Sequence, residues 1–169
     1  MHETYETEEA ELLRWLRDKR TTEGIEVEFK RAFSGRSEEL AKDIISLANT
    51  RGGKICFGID DLSELKDVIG VENPGALRET IQNVINDKCR PGLDPLPVSE
   101  EVPCSDRTVL ILHVEESNNK PHYYEKNNYP RIFVRADNTS RPANIDQIQR
   151  LFEERGRISY DNKPQQGVS

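Results

Sequence analysis

Apolar residues recur at helical spacing in several stretches of the chain. The predicted helices run from Glu8 to Arg20, from Ser37 towards Gly52, from Asn73 to Lys88 and from Asn144 to Phe152. Ser37, Asn73 and Asn144 stand where helix N-caps belong, because a short polar side chain can accept the first free backbone N–H groups. Gly52 and Gly53 form a natural stop after the second helix. The pattern therefore predicts long amphipathic helices separated by shorter segments.

Apolar and polar residues alternate with a period of two between Ile25 and Lys30, which predicts a strand. This register turns the apolar side chains inward and places the carboxylates of Glu26 and Glu28 on the outward face. Further strands are predicted over Lys54–Asp60, Leu96–Val102, Thr108–Val114 and Arg131–Arg135, the last three joined as a β-meander. The element order α-β-α-β-α-β-β-β-α predicts an α+β domain in which helices pack on a mixed sheet.

The length of 169 residues fits a single compact domain. We predict that this domain spans residues 12–155, after an acidic N-terminal segment (1–11). Residues 156–169 form a polar tail that we expect to be disordered. The boundaries follow from the positions of the first and last amphipathic helices.

Composition narrows the class of protein. No run approaches the roughly 18 apolar residues that a membrane-spanning helix needs, so we expect a cytoplasmic protein with no membrane partner. Cys56, Cys89 and Cys104 are widely spaced and include no CxxC pair, which argues against disulfides and against a zinc knuckle. The net charge of -7 argues against a protein that coats nucleic acid through overall charge.

Basic residues are nevertheless concentrated near the C-terminal end of the predicted domain. Residues 130–157 contain six arginines and four acidic residues, whereas residues 92–119 contain six acidic residues and one arginine. The arginines are Arg131, Arg135, Arg141, Arg150, Arg155 and Arg157. They either form a basic binding face or solvate a surface strand and helix, and charge alone does not decide between these interpretations.

The sharpest candidate site is acidic and consists of Glu23, Glu28 and Asp60. Hard divalent cations prefer carboxylate oxygens, and nucleases use such ions to orient water and to neutralise the reacting phosphate. Glu28 lies on the polar face of one predicted strand and Asp60 ends the next, so their side chains can converge. The alternative is that Glu28 is an ordinary surface residue and that Asp60 merely begins a turn.

The segment from Asn49 to Gly53 could cradle a phosphate through its backbone N–H groups. A P-loop, however, runs from strand to helix, whereas this segment runs from helix to strand. A helix stop is the better interpretation.

Basic and aromatic residues alternate in two later segments. Lys120, His122 and Tyr123 lie in the first, and Arg131 follows Tyr129 in the second. This mixture can bind backbone phosphate and stack an unpaired base, although the same residues could simply stabilise a long hairpin.

Five motifs together resemble a known family. They are Glu23–Lys30, Ala48–Gly53, Gly58–Asp61, Lys120–His122 and Arg135–Ala143. Their content and order are similar to those of the Schlafen-type Alba domain, and the resemblance covers roughly Leu12 to Phe152. It implies an Alba-like fold that corresponds to one Schlafen core lobe, and a role in nucleic-acid binding.

The resemblance also implies a catalytic site. In animal Schlafens, three acidic residues bind a divalent metal and cleave tRNA or rRNA, and they match Glu23, Glu28 and Asp60. The implied cofactor is Mg²⁺ or Mn²⁺, and Lys30 is positioned to steady the developing charge. Lys120, His122, Tyr123, Arg131, Arg135 and Arg141 are the predicted nucleic-acid-binding residues.

The sequence departs from the animal proteins in three respects. Animal Schlafens carry two lobes in one chain, and this length fits one, so a homodimer is expected to supply the second. Asp137 replaces a glycine of the family's Arg-x-Gly-Ser motif, which argues against a phosphate or ATP role for that loop. No Cys/His cluster matches the animal zinc site, so neither structural zinc nor ATP is expected.

These observations leave three hypotheses. The first is a metal-dependent endoribonuclease acting on structured RNA such as tRNA. The second is a noncatalytic DNA- or RNA-binding regulatory module, which the single lobe and the acidic net charge favour. The third is an ATP-binding switch, which the absence of a P-loop disfavours.

Overall fold

The computed structural model describes residues 8–16, 26–62 and 65–155, and it describes side chains at all of these positions except 61–66. Helix α1 covers residues 8–16, and it is followed by α2 (Ser37–Asn49), α3 (Pro74–Lys88) and α4 (Ile145–Glu154). Two predicted caps are confirmed. The Asn73 side chain accepts a hydrogen bond from Ala76 N at 3.1 Å, and Asn144 forms a reciprocal capping box with Gln147.

The third predicted cap is wrong. Ser37 is already the first residue of α2, and the residue before it is Arg36. Arg36 is extended and its side chain makes no capping hydrogen bond. The chain thus enters the helix one residue earlier than the polar pattern indicates.

The strands are β1 (Glu26–Lys30), β2 (Gly52–Phe57), β3 (Ile59–Leu62), β4 (Leu65–Val68), β5 (Val98–Cys104), β6 (Arg107–Glu115), β7 (Tyr123–Lys126), β8 (Tyr129–Ala136) and β9 (Thr139–Pro142). The central sheet has the order β1-β2-β6-β5. Strands β1 and β2 are parallel, and the other two pairs are antiparallel. The sheet is therefore mixed, as predicted.

Apolar side chains cover the central sheet on both faces. On one face, Ile44 of α2 and Ile81 of α3 pack with Phe57 in a cluster from which solvent is excluded. On the other face, Leu16 of α1 packs near Ile111. Each fully buried side chain of this kind contributes about 1.5–3 kcal/mol. The α+β fold class predicted from the sequence is confirmed by this arrangement.

Two glycines fix the path of the chain around β2. Gly52 has a φ of +75°, and a Cβ there would lie 2.5 Å from Val114 O. Gly58 has a φ of +100°, and a Cβ there would lie 2.9 Å from Gly70 Cα. Only glycine fits such crowded left-handed positions. The predicted single strand over Lys54–Asp60 is consequently divided at Gly58, where the chain turns into the β3–β4 hairpin.

The predicted β-meander is wrong in its last strand. Strands β5 and β6 pair as expected, but β8 belongs to a separate sheet of order β7-β8-β9. Left-handed backbone at Asn127–Asn128 and at Asp137–Asn138 closes tight turns on both sides of β8. Asp137 therefore occupies the family's glycine position with a φ of 51°, which an aspartate tolerates better than most residues.

The second sheet lies against α2. Phe133 of β8 stacks on Tyr124 of β7 with ring centroids 5.7 Å apart, and both rings contact the core cluster beneath α2. Within the described ranges, no helix combines the length and apolar character needed to cross a membrane. The domain boundaries inferred from the sequence stay a prediction.

Candidate nucleic-acid interface

Arg135 joins the second sheet to the edge of the central sheet. Its Nε donates a hydrogen bond to Glu26 Oε2 at 2.8 Å, and its Nη1 lies 3.0 Å from Glu28 Oε2. Alternate residues of a strand share one face, so a single guanidinium can reach both carboxylates. The Arg135 side chain is 3% exposed. The face of β1 that was predicted to point outward is therefore covered by an ion pair.

Asp43 and Ser140 extend this buried polar cluster. Asp43 Oδ2 lies 2.9 Å from Lys30 Nζ, and its Oδ1 accepts a hydrogen bond from Ser140 Oγ at 2.8 Å. Ser140 Oγ also accepts a hydrogen bond from Arg135 Nη1 at 3.0 Å. Sequence reasoning missed Asp43, although a signal was present: it occupies a position on the apolar face of α2, between Leu40 and Ile44.

The pKa values of Glu28 and Lys30 in this cluster are shifted from their ordinary values. Desolvation and the neighbouring Asp43 raise the pKa of Glu28, and Arg135 and Lys30 only partly oppose this. For Lys30, burial lowers the pKa, but Asp43 and nearby glutamates outweigh burial, so the net direction is upward. Glu28 Oε2 is buried. Although Arg135 Nη1 lies 3.0 Å from it, no group among the described residues is oriented to donate a hydrogen bond to it. Glu28 is thus the carboxylate of the cluster whose ionised form is disfavoured.

Two of the three predicted metal ligands, Glu28 and Asp60, lie in the described part of the chain. Glu23 lies outside the described residues, so its position relative to the others stays a prediction. Glu28 is paired with Arg135, and Asp60 Oδ2 lies 3.4 Å from Arg31 Nη1. Within residues 8–16, 26–62 and 65–155, no group of three or more His, Cys, Asp or Glu residues could hold a metal ion. The predicted Mg²⁺ or Mn²⁺ site, which includes Glu23, therefore stays a prediction.

The motif Ala48–Gly53, at the C-terminal end of α2, anchors the second sheet through side-chain hydrogen bonds. Asn49 accepts a hydrogen bond from His122 N at 2.7 Å and donates to His122 O at 3.0 Å and to Phe133 O at 2.9 Å. Thr50 Oγ1 accepts a hydrogen bond from Arg135 N at 2.8 Å. The motif fastens β8 and the segment before β7 to the C-terminal end of α2. This geometry supports the structural interpretation of the motif over the phosphate cradle.

Lys120 and His122, predicted to contact nucleic acid, are both inside the protein. Lys120 is 1% exposed and its Nζ lies 2.5 Å from Glu116 Oε2 and 3.1 Å from Glu154 Oε2. His122 is fully buried and its Nδ1 lies 2.9 Å from Pro91 O. Their placement contradicts a direct surface role, because the aliphatic stem of Lys120 and the imidazole of His122 are used for packing.

Burial lowers the pKa of His122 to about 4, with the charges of Arg155 and Lys120 acting in the same direction and the Pro91 carbonyl opposing them. The imidazole is therefore neutral at physiological pH. A neutral, buried imidazole cannot attract phosphate.

Helix α4 presents an unusual face to the rest of the domain. Of its ten residues, all described, Leu151 alone is buried. Its other residues that line the space beneath it are polar, namely Gln147, Arg150 and Glu154, while Ile148 is half-buried. Ile145, by contrast, is 82% exposed, so the predicted apolar stripe of this helix points only partly at the core. A helix with a polar inner face cannot pack closely, and a cleft remains beneath it.

The cleft has a volume of about 380 Å³ and lies between α4, β8 and the C-terminal end of α2. Its lining residues are Asn49, Thr50, Arg51, Glu116, Val134, Arg135, Gln147, Arg150, Leu151 and Glu154. Both lining glutamates bind Lys120. Arg51 and Arg150 are exposed, and the described residues offer neither of them an ion-pair partner. The cleft consequently presents positive charge in a protein of net charge -7.

The remaining predicted contact residues fall on two faces of the second sheet. Arg141 pairs in register with Val134, whose side chain lines the cleft, so the two residues share a face. Arg131 pairs with Tyr124 on the opposite face, which packs on α2. Both arginines are exposed, and Tyr123 is half-buried. Arg141 therefore lies on the cleft side of the second sheet, 3.7 Å from Asp137 Oδ2, but it does not line the cleft as Arg51 and Arg150 do, and Arg131 lies on the other side.

Comparison with known proteins places the chain among relatives. The family model described as Schlafen, AlbA_2 matches residues 23–144. A protein of Ureaplasma parvum, named as an uncharacterized ATP-binding protein, is 30% identical over 133 residues, which cover 70% of this chain and 37% of the relative. The chain thus spans little more than a third of the length of that relative.

Two solved structures share the fold. The DIP2311 protein from Corynebacterium diphtheriae superposes with a TM-score of 0.54 and 21% identity over 80% of this chain and 25% of that protein. The N-terminal domain of a Nitrosomonas europaea protein, named as related to the ATP-dependent DNA helicase RecG, gives 0.57 and 20% over 77% and 91%. At these identities the likeness concerns the fold alone. Because the family model covers well over half of the chain, the protein belongs to the Schlafen AlbA_2 family.

Proposed function

We propose that this protein binds nucleic acid through the surface around the cleft. The observation that carries the proposal is that Arg51 and Arg150 line one cleft of an acidic protein, with Arg141 on the same face of the second sheet as the cleft residue Val134. These arginines come from the turn between α2 and β2, from β9 and from α4, which are distant in sequence. Guanidinium groups bind phosphate oxygens through paired donors. Membership of the Schlafen AlbA_2 family supports the same function.

The first test is equilibrium binding of a fluorescent single-stranded RNA at several salt concentrations. Three phosphate contacts predict a slope of about -2 in a plot of log affinity against log salt concentration. Replacing Arg51, Arg141 and Arg150 together by glutamine should bring this slope close to zero. Arg78→Gln, on the exposed face of α3, is the matched control for a lost charge and should leave the slope unchanged. Equal slopes for the wild type and the triple variant would reject this surface.

RNA is the preferred partner in this proposal, and structured RNA such as tRNA is the preferred class. DNA is retained as the alternative, since phosphate contacts do not distinguish the two. Competition between tRNA and a DNA duplex of equal phosphate content measures the preference. We place the protein in the cytoplasm, where such RNA is available.

A second candidate function is the metal-dependent endoribonuclease predicted from the sequence. It is supported by Glu28, a half-buried residue whose pKa is raised and whose buried Oε2 lacks a well-oriented hydrogen bond among the described residues. Carboxyl groups with a shifted pKa are common at catalytic sites. In this proposal, Mg²⁺ or Mn²⁺ is the cofactor, a homodimer supplies the second lobe, and Glu23 contributes from outside the described residues. ATP and structural zinc have no part in it.

The endoribonuclease proposal is tested by incubating the protein with tRNA, with and without Mn²⁺ or Mg²⁺, and resolving the products on a denaturing gel. Discrete metal-dependent fragments that disappear in Glu28→Gln would support it. Glu125→Gln removes an exposed carboxylate of β7 and should cleave as the wild type does. Intact tRNA with folded, RNA-binding protein would leave the noncatalytic binding function standing and reject the nuclease. Sedimentation equilibrium tests the dimer separately.

A further inference from the structure

The cleft beneath α4 combines groups that phosphate binding alone does not require. Arg51 and Arg150 supply cationic groups to the cleft. Val134 and Leu151 supply apolar surface to the same cleft. Val134 is 7% exposed and Leu151 is 5% exposed, so these side chains form a floor rather than a rim. A volume of about 380 Å³ falls within the range of small-molecule sites, which begins near 300 Å³.

An amphipathic helix normally turns its apolar face toward the domain, but the face of α4 that lines the cleft is mostly polar. Gln147, Arg150, Leu151 and Glu154 follow one another at spacings of three and four, which places them on a single face. Burying polar groups there without partners would cost stability, and departures from the hydrophobic pattern concentrate at functional sites. Gln147 Oε1 is occupied by Asn144 N at 2.9 Å. Its amide N–H groups remain as donors beside the apolar floor.

We propose that this cleft takes up one unstacked nucleotide of a bound nucleic-acid strand. Its phosphate lies between Arg51 and Arg150, its base covers Val134 and Leu151, and the Gln147 amide donates to a carbonyl or ring nitrogen of the base. Arg141 continues the basic surface beyond the cleft and binds a flanking phosphate, which favours a strand over a free mononucleotide. This inference rests on the proposed nucleic-acid-binding function and adds to it a preference for unpaired nucleotides.

The test uses the full chain with ¹³C-labelled methyl groups and a 12-nucleotide single-stranded RNA. A base over the floor shifts the methyl resonances of Val134 and Leu151 through its ring current. An abasic strand of the same length carries the same phosphates, so it should bind at least about fivefold more weakly, and without those shifts. Arg150→Gln should weaken binding of the intact strand by about fivefold or more and reduce the methyl shifts at a fixed RNA concentration, whereas Arg78→Gln should alter neither.

The outcomes separate this inference from the proposed function. If the RNA binds but neither methyl group shifts, or if the abasic strand binds equally well, the nucleotide site is rejected while nucleic-acid binding stands. If free adenosine monophosphate shifts the methyl groups and the strand does not, the cleft binds nucleotides but the inference about a strand fails. If no RNA or DNA strand binds to the folded protein, the proposed function itself fails.

Discussion

Arg135 Nη1 lies 3.0 Å from Glu28 Oε2, although 107 residues separate the two positions in the chain. This contact, with the second one to Glu26, joins the two sheets of the domain through a desolvated ion pair. Because the guanidinium and both carboxylates lie largely out of water, removing Arg135 leaves Glu26 and Glu28 without their shared cationic partner. The first two predictions concern this pair.

Replacing Arg135 by glutamine should lower the free energy of unfolding by about 3–5 kcal/mol. The variant leaves Glu26, Glu28 and Asp43 without the guanidinium that faces all three. Urea unfolding followed by circular dichroism measures the loss. Arg141→Gln, whose side chain is 57% exposed, serves as the control and should change stability by no more than about 0.5 kcal/mol. Similar losses in both variants would contradict the bridging role of Arg135.

The raised pKa of Glu28 should make its contribution to stability fall as the pH rises. The folded protein holds this proton more tightly than the unfolded chain, in which the pKa is near the ordinary value of 4.5. Between that value and the raised folded pKa, the folded state binds more protons, so unfolding becomes easier with increasing pH. The stability of the wild type relative to Glu28→Gln should therefore decrease from pH 4.5 upward. A difference that grows with pH would overturn this sign.

His122 should act in the opposite pH direction. Its folded pKa of about 4 lies below the ordinary 6.5, so the unfolded chain binds more protons between these two values. Acidification from pH 6.5 to 4 should remove about 3 kcal/mol of stability through this residue. Replacing His122 by leucine, which cannot titrate, should flatten this part of the pH profile. Direct observation of the imidazole by NMR provides the check, and a midpoint near pH 6.5 in the folded protein would contradict the prediction.

Asn49→Ala should destabilise the protein by about 3 kcal/mol. The variant leaves the N–H and C=O of His122, just before β7, and the C=O of Phe133 in β8 without their partner, and each unsatisfied buried group costs about 1–3 kcal/mol unless the structure relaxes. Thermal unfolding of Asn83→Ala, an exposed substitution on α3, controls for the general effect of removing an amide. An equal melting temperature for both variants would show that Asn49 has no fastening role.

Features that depend on local sequence were predictable. Asn73 and Asn144 mark the starts of α3 and α4 in the sequence, because an N-cap depends on interactions within a few residues. The strand period around Val27 likewise reflects a local alternation. Asp60 was read as the end of a strand, and it lies instead within the β3–β4 hairpin, because Gly58 turns the chain before it.

The site was less predictable, since its partners come from distant segments. Arg135 was identified from its motif, but nothing nearby in the sequence indicates that Glu26 and Glu28 bind it. Lys120 resembled a surface base for a similar reason, because its two carboxylate partners, one of them on α4, fold over it only in the complete domain. Hydrophobic periodicity reports burial of apolar residues and says nothing about charges buried in pairs.

Helix α4 has a consequence for the energetics of opening. Within the described ranges it contributes one buried apolar side chain, Leu151, and one ion pair to the rest of the domain, from Glu154 to Lys120, so little free energy is lost when it moves away from those residues. Its amide protons should therefore exchange with solvent through a local opening well before those of α2, whose residues from Ile44 to Asn49 are all buried. Helix α4 can then move away while the central sheet stays folded, so under the proposed function a long strand would reach the cleft from the side.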